Sequence, residues 1–206
     1  YTILASCNKL MPGQHISISG NEIKINTYYE LKNEQNNSDS YDQAKRKIKD
    51  LIYQSIEKRM VADVPLGTFL SGGVDSSIVS FAASRIKSDI NTFSIGFPDE
   101  PLFDESKYAQ EVANHIQSKH HTFQVTNKNL YNHLENILDY MDEPFADSSA
   151  INVYLLSKKT REHVTVSLSG DGADELFTGY NKHAALYFAD QKNYKNFLIK
   201  NLGTLF

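Results

Sequence analysis

From Pro65 onward, apolar stretches of strand length alternate with helical ones, and this alternation limits the fold more than any other feature of the chain. Residues 66–70 read as a strand, 74–86 as a helix, 92–97 as a second strand and 105–117 as a second helix. A third strand over 121–125, helices over 128–141 and 148–162, a fourth strand over 164–168 and a helix over 174–187 complete the series. Parallel strands joined through helices cross over right-handedly, so the expected fold is α/β, a mostly parallel sheet with helices on both faces. Ligands of such sheets bind beyond the carboxyl ends of the strands. That rule directs attention to the residues after Leu70, Ile95 and Leu168.

The segment before Pro65 has a different character. Residues 1–31 read as short strands, with a turn at Met11-Pro12-Gly13 and a hairpin joining 14–19 to 22–27 through Ser19-Gly20-Asn21-Glu22. Residues 32–40 are polar and aperiodic, as in a linker. From Tyr41 the pattern is helical, with Ala44, Ile48, Leu51, Ile52, Ser55 and Ile56 on one stripe.

The string Ser71-Gly72-Gly73-Val74-Asp75-Ser76-Ser77 stands at the first strand-to-helix junction. Two glycines let the backbone approach a ligand closely, and the unpaired amides of the first helical turn, aided by the helix dipole, attract an anion. Three serine hydroxyls add donors, which makes a cradle of pyrophosphate size. The string lacks the Gly-Lys-Ser/Thr ending of the usual mononucleotide-binding loop, which argues against a kinase or simple ATPase. Asp75 fits an anion site only as a ligand to Mg²⁺, which binds through one or two carboxylates together with phosphate oxygens. The plain alternative is a glycine turn capped by Asp and Ser.

A second unusual string, Ser169-Gly170-Asp171-Gly172-Ala173-Asp174-Glu175-Leu176-Phe177, occupies the fourth strand's carboxyl end. Three carboxylates in five positions repel one another unless a cation or proton is shared. The plain alternative is an acidic helix start.

The first string resembles the signature of the PP-loop ATP pyrophosphatases, which have an adenine nucleotide alpha-hydrolase-like fold and split ATP to AMP and pyrophosphate. The second, with Gly179-Tyr180 after it, resembles the matching signature of asparagine synthetases and their relatives, including β-lactam synthetases. Leu66-Gly67-Thr68-Phe69-Leu70, Phe93-Ser94-Ile95-Gly96-Phe97, Phe103-Asp104-Glu105, Asp142-Glu143-Pro144-Phe145, Asp147-Ser148-Ser149 and Tyr154-Leu155-Leu156-Ser157 carry the likeness from about residue 41 to 187. Residues 1–36 resemble the tail of the family's N-terminal glutaminase domain plus linker. Residues 37–206 resemble the synthetase domain, and both ends of the chain look cut.

The resemblance implies ATP and Mg²⁺ as cofactors. Aspartate and ammonia from glutamine would be the substrates, the glutaminase domain the partner, and a homodimer is compatible. Leu70 and Ile95 would line the adenosine pocket, and Ser71, Gly72, Gly73, Ser76 and Ser77 would hold the β- and γ-phosphates. Asp75 and Asp174 would ligate Mg²⁺, and Ser169 and Gly170 would meet the ribose or α-phosphate. Asp171 stands at a catalytic acidic position that is often glutamate in asparagine synthetases, which widens the range of acceptors. The family draws a further lysine from beyond the stretch matched here, so this chain alone is expected to turn over little. Its glutamine-dependent members use an N-terminal cysteine, and Cys7, which follows Ser6 within a segment, is not that residue.

Composition narrows the remaining classes. A net charge of −4 offers no dedicated nucleic-acid surface, and the single cysteine speaks against a tRNA-thiolating relative. Cys7 reads as a buried small apolar residue in a cytoplasmic protein without disulfides. Lys45-Arg46-Lys47 and Lys158-Lys159 read as solvated helix faces, the histidines as surface or core residues, and no apolar run has membrane-spanning length. The competing readings are a same-fold amidotransferase acting on a sugar acid or peptide carboxylate, and a degenerate nucleotide-binding module.

Overall fold

The structure, a computed structural model, describes residues 2–31, 38–143, 147 and 149–190. It divides into two compact units, residues 1–48 with 141–146, and residues 49–140 with 147–206.

In the first unit, β1 (Gln14–Ser19) and β2 (Glu22–Thr27) form the expected antiparallel hairpin, with Ile16 opposite Ile25 and Ile18 opposite Ile23. Both registered pairs put isoleucine on the same face, because side chains alternate across a strand. All four remain exposed. Gly13, at φ +78, closes the base of the hairpin, its carbonyl accepting from the Tyr28 and Tyr29 amides. A pocket of about 440 Å³ lies between residues 2–9 and 141–143, where Lys9 pairs with Glu143. Cys7 on its wall is exposed, not buried as its apolar character suggested. It sits in a turn held by Thr2, whose hydroxyl donates to the Leu4 and Cys7 carbonyls, so backbone hydrogen bonds rather than burial of the thiol shape the segment.

Helix α1 (Tyr41–Arg59) begins where the linker reading ends. Of the linker, residues 32–37 lie outside the described residues. Ile52 and Ile56 of the expected stripe reach the core of the second unit, whereas Leu51 stays 63% exposed.

That second unit is built on a parallel sheet in the order β5-β4-β3-β6. Its strands are β3 (Leu66–Phe69), β4 (Asn91–Gly96), β5 (Lys119–Gln124) and β6 (Val166–Leu168). Helices α2 (Val74–Ile86) and α3 (Ser106–Ile116) follow β3 and β4. On one face Ile56, Leu66, Ala82, Ala83 and Ile90 form a core, and Leu70 packs with Ala109 and Ala113 beside it. Thr68 on β3 and Ser80 on α2, both fully buried, share a 2.7 Å hydroxyl–hydroxyl hydrogen bond that joins strand to helix. Also on that face is a part-buried polar ladder. Thr92 bonds His120 Nδ1 (2.8 Å) and Ser118 (2.8 Å), and Ser94 bonds His120 Nε2 (3.2 Å) and Thr122 (3.2 Å). The opposite parity carries Phe93, fully buried, whose ring edge fills the space a Cβ on Gly67 would need. His121 stacks on Phe93 at 5.1 Å, and His163 lies 4.2 Å from His121.

Three expected elements differ. The helix expected over 128–141 is two short pieces, α4 (Asn127–Asn132) and α5 (Leu134–Leu138), divided at His133. Thr126 caps the first through a reciprocal box with Asn129. Helix α6 (Ser149–Thr160) agrees with expectation, but the fourth strand is shortened to three residues. The helix expected over 174–187 is broken into α7 (Ala173–Phe177) and α8 (Asn181–Asp190). Thr178, left-handed at φ +59, ends α7 there. No helix among the described residues is long and apolar enough to cross a membrane.

Candidate active site

The two unusual loops leave the sheet side by side. Strands β3 and β6 are hydrogen-bonded neighbours with Thr68 opposite Leu168, so Leu70 and Ser169 emerge at nearly the same height. Helix α2 starts at Val74 with Gly73 as its extended N-cap, and no side chain caps it. The first-turn amides are thus left for a ligand, as the anion reading requires.

Within the first loop the serines organise one another. Ser71 Oγ and Ser76 Oγ are 2.9 Å apart, Ser76 Oγ accepts from the Ser71 amide at 3.2 Å, and Ser71 Oγ accepts from the Gly73 amide at 3.2 Å. Ser76 Oγ also donates to the Gly73 carbonyl. Ser77 Oγ is buried with no hydrogen-bond partner among the described residues, an orphan donor of the sort that costs about 1–3 kcal/mol unless a ligand satisfies it. Gly72, at φ +87, lies against the first turn of α3. A Cβ there would fall 2.6 Å from the Ala109 nitrogen and from Tyr108 backbone and Cβ atoms.

The second loop presses onto the first. A Cβ on Gly170 would lie 2.8 Å from the Ser76 nitrogen and 3.1 Å from Asp75 Cβ. Ser169 Oγ donates to Asp171 Oδ2 at 2.9 Å. Further on, the Tyr180 hydroxyl donates to Glu175 Oε1 at 2.7 Å. That bond holds Glu175 below the usual carboxylate range and pushes the Tyr180 phenol up to about 12. The Asp174 carboxylate occupies the space where a side chain on Gly179 would begin.

The structure therefore brings Ser71, Gly72, Gly73, Asp75, Ser76 and Ser77 together, with Ser169, Gly170, Asp171 and Asp174 on the adjoining loop, whereas the Leu70 side chain, expected to line a pocket, is buried against Ala109 and Ala113. Ile95 sits on the neighbouring β4, one residue before that strand's end. Asp104, near the same end, accepts from the Ser106 amide at 2.9 Å, and hydrogen bonds from Ser106 keep its carboxyl below the usual range. Among the described residues no group of three or more His, Cys, Asp or Glu side chains is placed to hold a metal. The donor set suits a divalent cation that takes two carboxylates from the protein and the rest of its shell from phosphate oxygens and water. Among the described residues Asp75 and Asp174 have no side-chain hydrogen bond or ion pair, which leaves their carboxylates open to that role. Sequence alone gives Gly179 and Tyr180 no role. Their spacing after the carboxylates was the available signal, and only the folded turn shows what they touch.

The Asparagine synthase family model matches residues 47–203, most of the chain. Asparagine synthetase [glutamine-hydrolyzing] 1 of Bacillus subtilis (strain 168) is 36% identical over 181 residues, covering 87% of this chain and 28% of the relative. A putative asparagine synthetase [glutamine-hydrolyzing] 2 of Methanocaldococcus jannaschii is also 36% identical, over 92% of this chain and 37% of that protein. An NH3-dependent NAD synthetase from Campylobacter jejuni, solved with a nitrate ion, overlays with a TM-score of 0.44 at 16% identity, covering 66% of this chain and 60% of that one. The chain thus has a parallel α/β architecture with two apposed loops at neighbouring strand ends. The chain belongs to the asparagine synthase family. It spans 28% and 37% of the lengths of the two relatives.

Proposed function

We propose that this chain is the adenylating part of an ATP-dependent, amide-forming ligase that makes asparagine from aspartate. The observation that carries the reading is the contact of Gly170 with Ser76 and Asp75, which joins a pyrophosphate cradle to an acidic loop.

In this reading the cradle amides and the hydroxyls of Ser71, Ser76 and Ser77 hold the β- and γ-phosphates, with the orphan Ser77 Oγ gaining its partner there. Ile95 lines the adenosine side, with Leu70 buried behind the loop, and Ser169 and Gly170 lie along the ribose or α-phosphate. Asp75 and Asp174 would hold Mg²⁺, which supplies charge neutralisation on the phosphates when bound. The aspartate side-chain carboxylate attacks the α-phosphorus, pyrophosphate leaves, and ammonia then displaces AMP from β-aspartyl-AMP. Asp171, oriented by the Ser169 hydroxyl, accepts a proton from the incoming ammonia. Residues 1–36 are read as the end of a glutaminase domain and its linker, whose glutamine-derived ammonia feeds this site.

A second acceptor is favoured by one feature, the aspartate at position 171 where asparagine synthetases often carry glutamate. The test is exchange of radiolabelled pyrophosphate into ATP by the full-length protein, with aspartate and a panel of other carboxylic acids. Aspartate-dependent exchange that Asp75→Ala reduces at least a hundredfold is the expected result. Exchange with a different acid would move the assignment to that acceptor, and no exchange with any acid would sink adenylation altogether.

A further inference from the structure

The acidic loop poses a problem of selection. Asp171, Asp174 and Glu175 lie within five positions. A Mg²⁺ ion brought in with a nucleoside triphosphate is served by one or two carboxylates together with phosphate oxygens and water, and extra carboxylates shift a site towards larger, higher-coordinate cations. The fold separates the three. Asp171 is tied to Ser169 Oγ at 2.9 Å. Asp174 has no side-chain partner among the described residues and lies against Gly179, whose missing side chain leaves the room. Glu175 is taken by the Tyr180 hydroxyl at 2.7 Å, across the turn that left-handed Thr178 makes possible. Lys182 Nζ rests 4.5 Å from the Tyr180 ring centroid, and its charge also attracts the Glu175 carboxylate.

We infer that Tyr180 is a positioning residue whose hydroxyl holds the Glu175 carboxylate aside, leaving Asp174 as the one carboxylate of that turn offered to the cation. The inference rests on the adenylating function proposed above. It separates Tyr180 from a merely structural tyrosine, because its effect passes entirely through the charge on Glu175. With the hydroxyl removed, Glu175 can swing towards Asp174, so that a divalent cation binds more tightly but no longer sits correctly against the phosphates.

The test compares four full-length proteins: unaltered, Tyr180→Phe, Glu175→Gln and the double variant. Mn²⁺ binding is read by water-proton relaxation, which needs no turnover, and adenylation by pyrophosphate exchange. Tyr180→Phe keeps the ring and its lysine contact, so the melting temperature should stay within a few degrees. Its Mn²⁺ affinity should rise several-fold while exchange falls about tenfold, the usual scale for losing a partner one shell out from a metal. In the Glu175→Gln background the same substitution should change neither quantity. An equal loss in both backgrounds, or unchanged Mn²⁺ affinity in Tyr180→Phe, overturns the inference while leaving the proposed function standing. An unaltered protein that neither exchanges nor binds Mn²⁺ overturns both.

Discussion

A methyl group on Gly170 would meet the Ser76 nitrogen at 2.8 Å, and neither atom belongs to a flexible side chain that could yield. The two loops would have to part, and displacements of this size in a positioning site cost up to a hundredfold in rate. Gly170→Ala is therefore expected to reduce pyrophosphate exchange by about that factor. Two residues on, Gly172 has the left-handed φ of +90 but open space around it. An alanine there meets only backbone strain, about 1 kcal/mol, visible as a lower melting temperature with exchange largely retained. Two glycines in one loop thus have different causes, close approach at one and chain direction at the other. Equal effects of the two substitutions on exchange would refute this division.

Among elements, the contact between β3 and α2 sets the height of the cradle. Thr68→Val would leave the Ser80 hydroxyl buried and unpaired, at a cost of about 1–3 kcal/mol. Adding Ser80→Ala should recover most of that loss in denaturant unfolding; a double variant as unstable as the sum of the two singles would contradict the pairing. The limits of α2 were legible in the sequence because glycines precede it and an apolar strand ends where it begins. The break between α7 and α8 was not. Helical periodicity runs on past residue 178, and what interrupts it is a threonine in a left-handed conformation, with Gly179 kept small by the Asp174 carboxylate. The division at His133 was hidden for a similar reason, since neither glycine nor proline marks it. The glycine-serine loop after β3 was legible as an anion-cradle candidate because backbone chemistry dictates its residue types. The link from Tyr180 to Glu175 was not, because it depends on how the chain returns.

Across the whole second unit, the histidines make stability depend on pH. Burial foremost, then neighbouring His121, depresses His120, whose two ring nitrogens face Thr92 and Ser94. Burial and then His163 depress His121, which faces Asn91 and stacks on Phe93. Lys119 pairs with Asp89 at the strand's start. Folded-state values below the unfolded 6.5 mean that the unfolded chain binds more protons between the two. The stabilisation is complete above pH 6.5 and is lost as pH falls through the depressed values. Thermal unfolding should therefore show a lower midpoint at pH 5.5 than at 7.5, with a smaller difference in His121→Asn; an identical difference in that variant would exclude His121 as a source.

The pairing of β6 with β3 has a consequence for how such a chain can vary. Only three residues hold that register, Leu66 to Val166, Gly67 to Ser167 and Thr68 to Leu168. One inserted residue within β6 would slide the acidic loop by about 3.3 Å and turn Leu168 from the core to the opposite face. Length changes are thus barred from that strand, and descendants of this sequence must gain or lose residues elsewhere, in segments whose ends the sheet does not hold level.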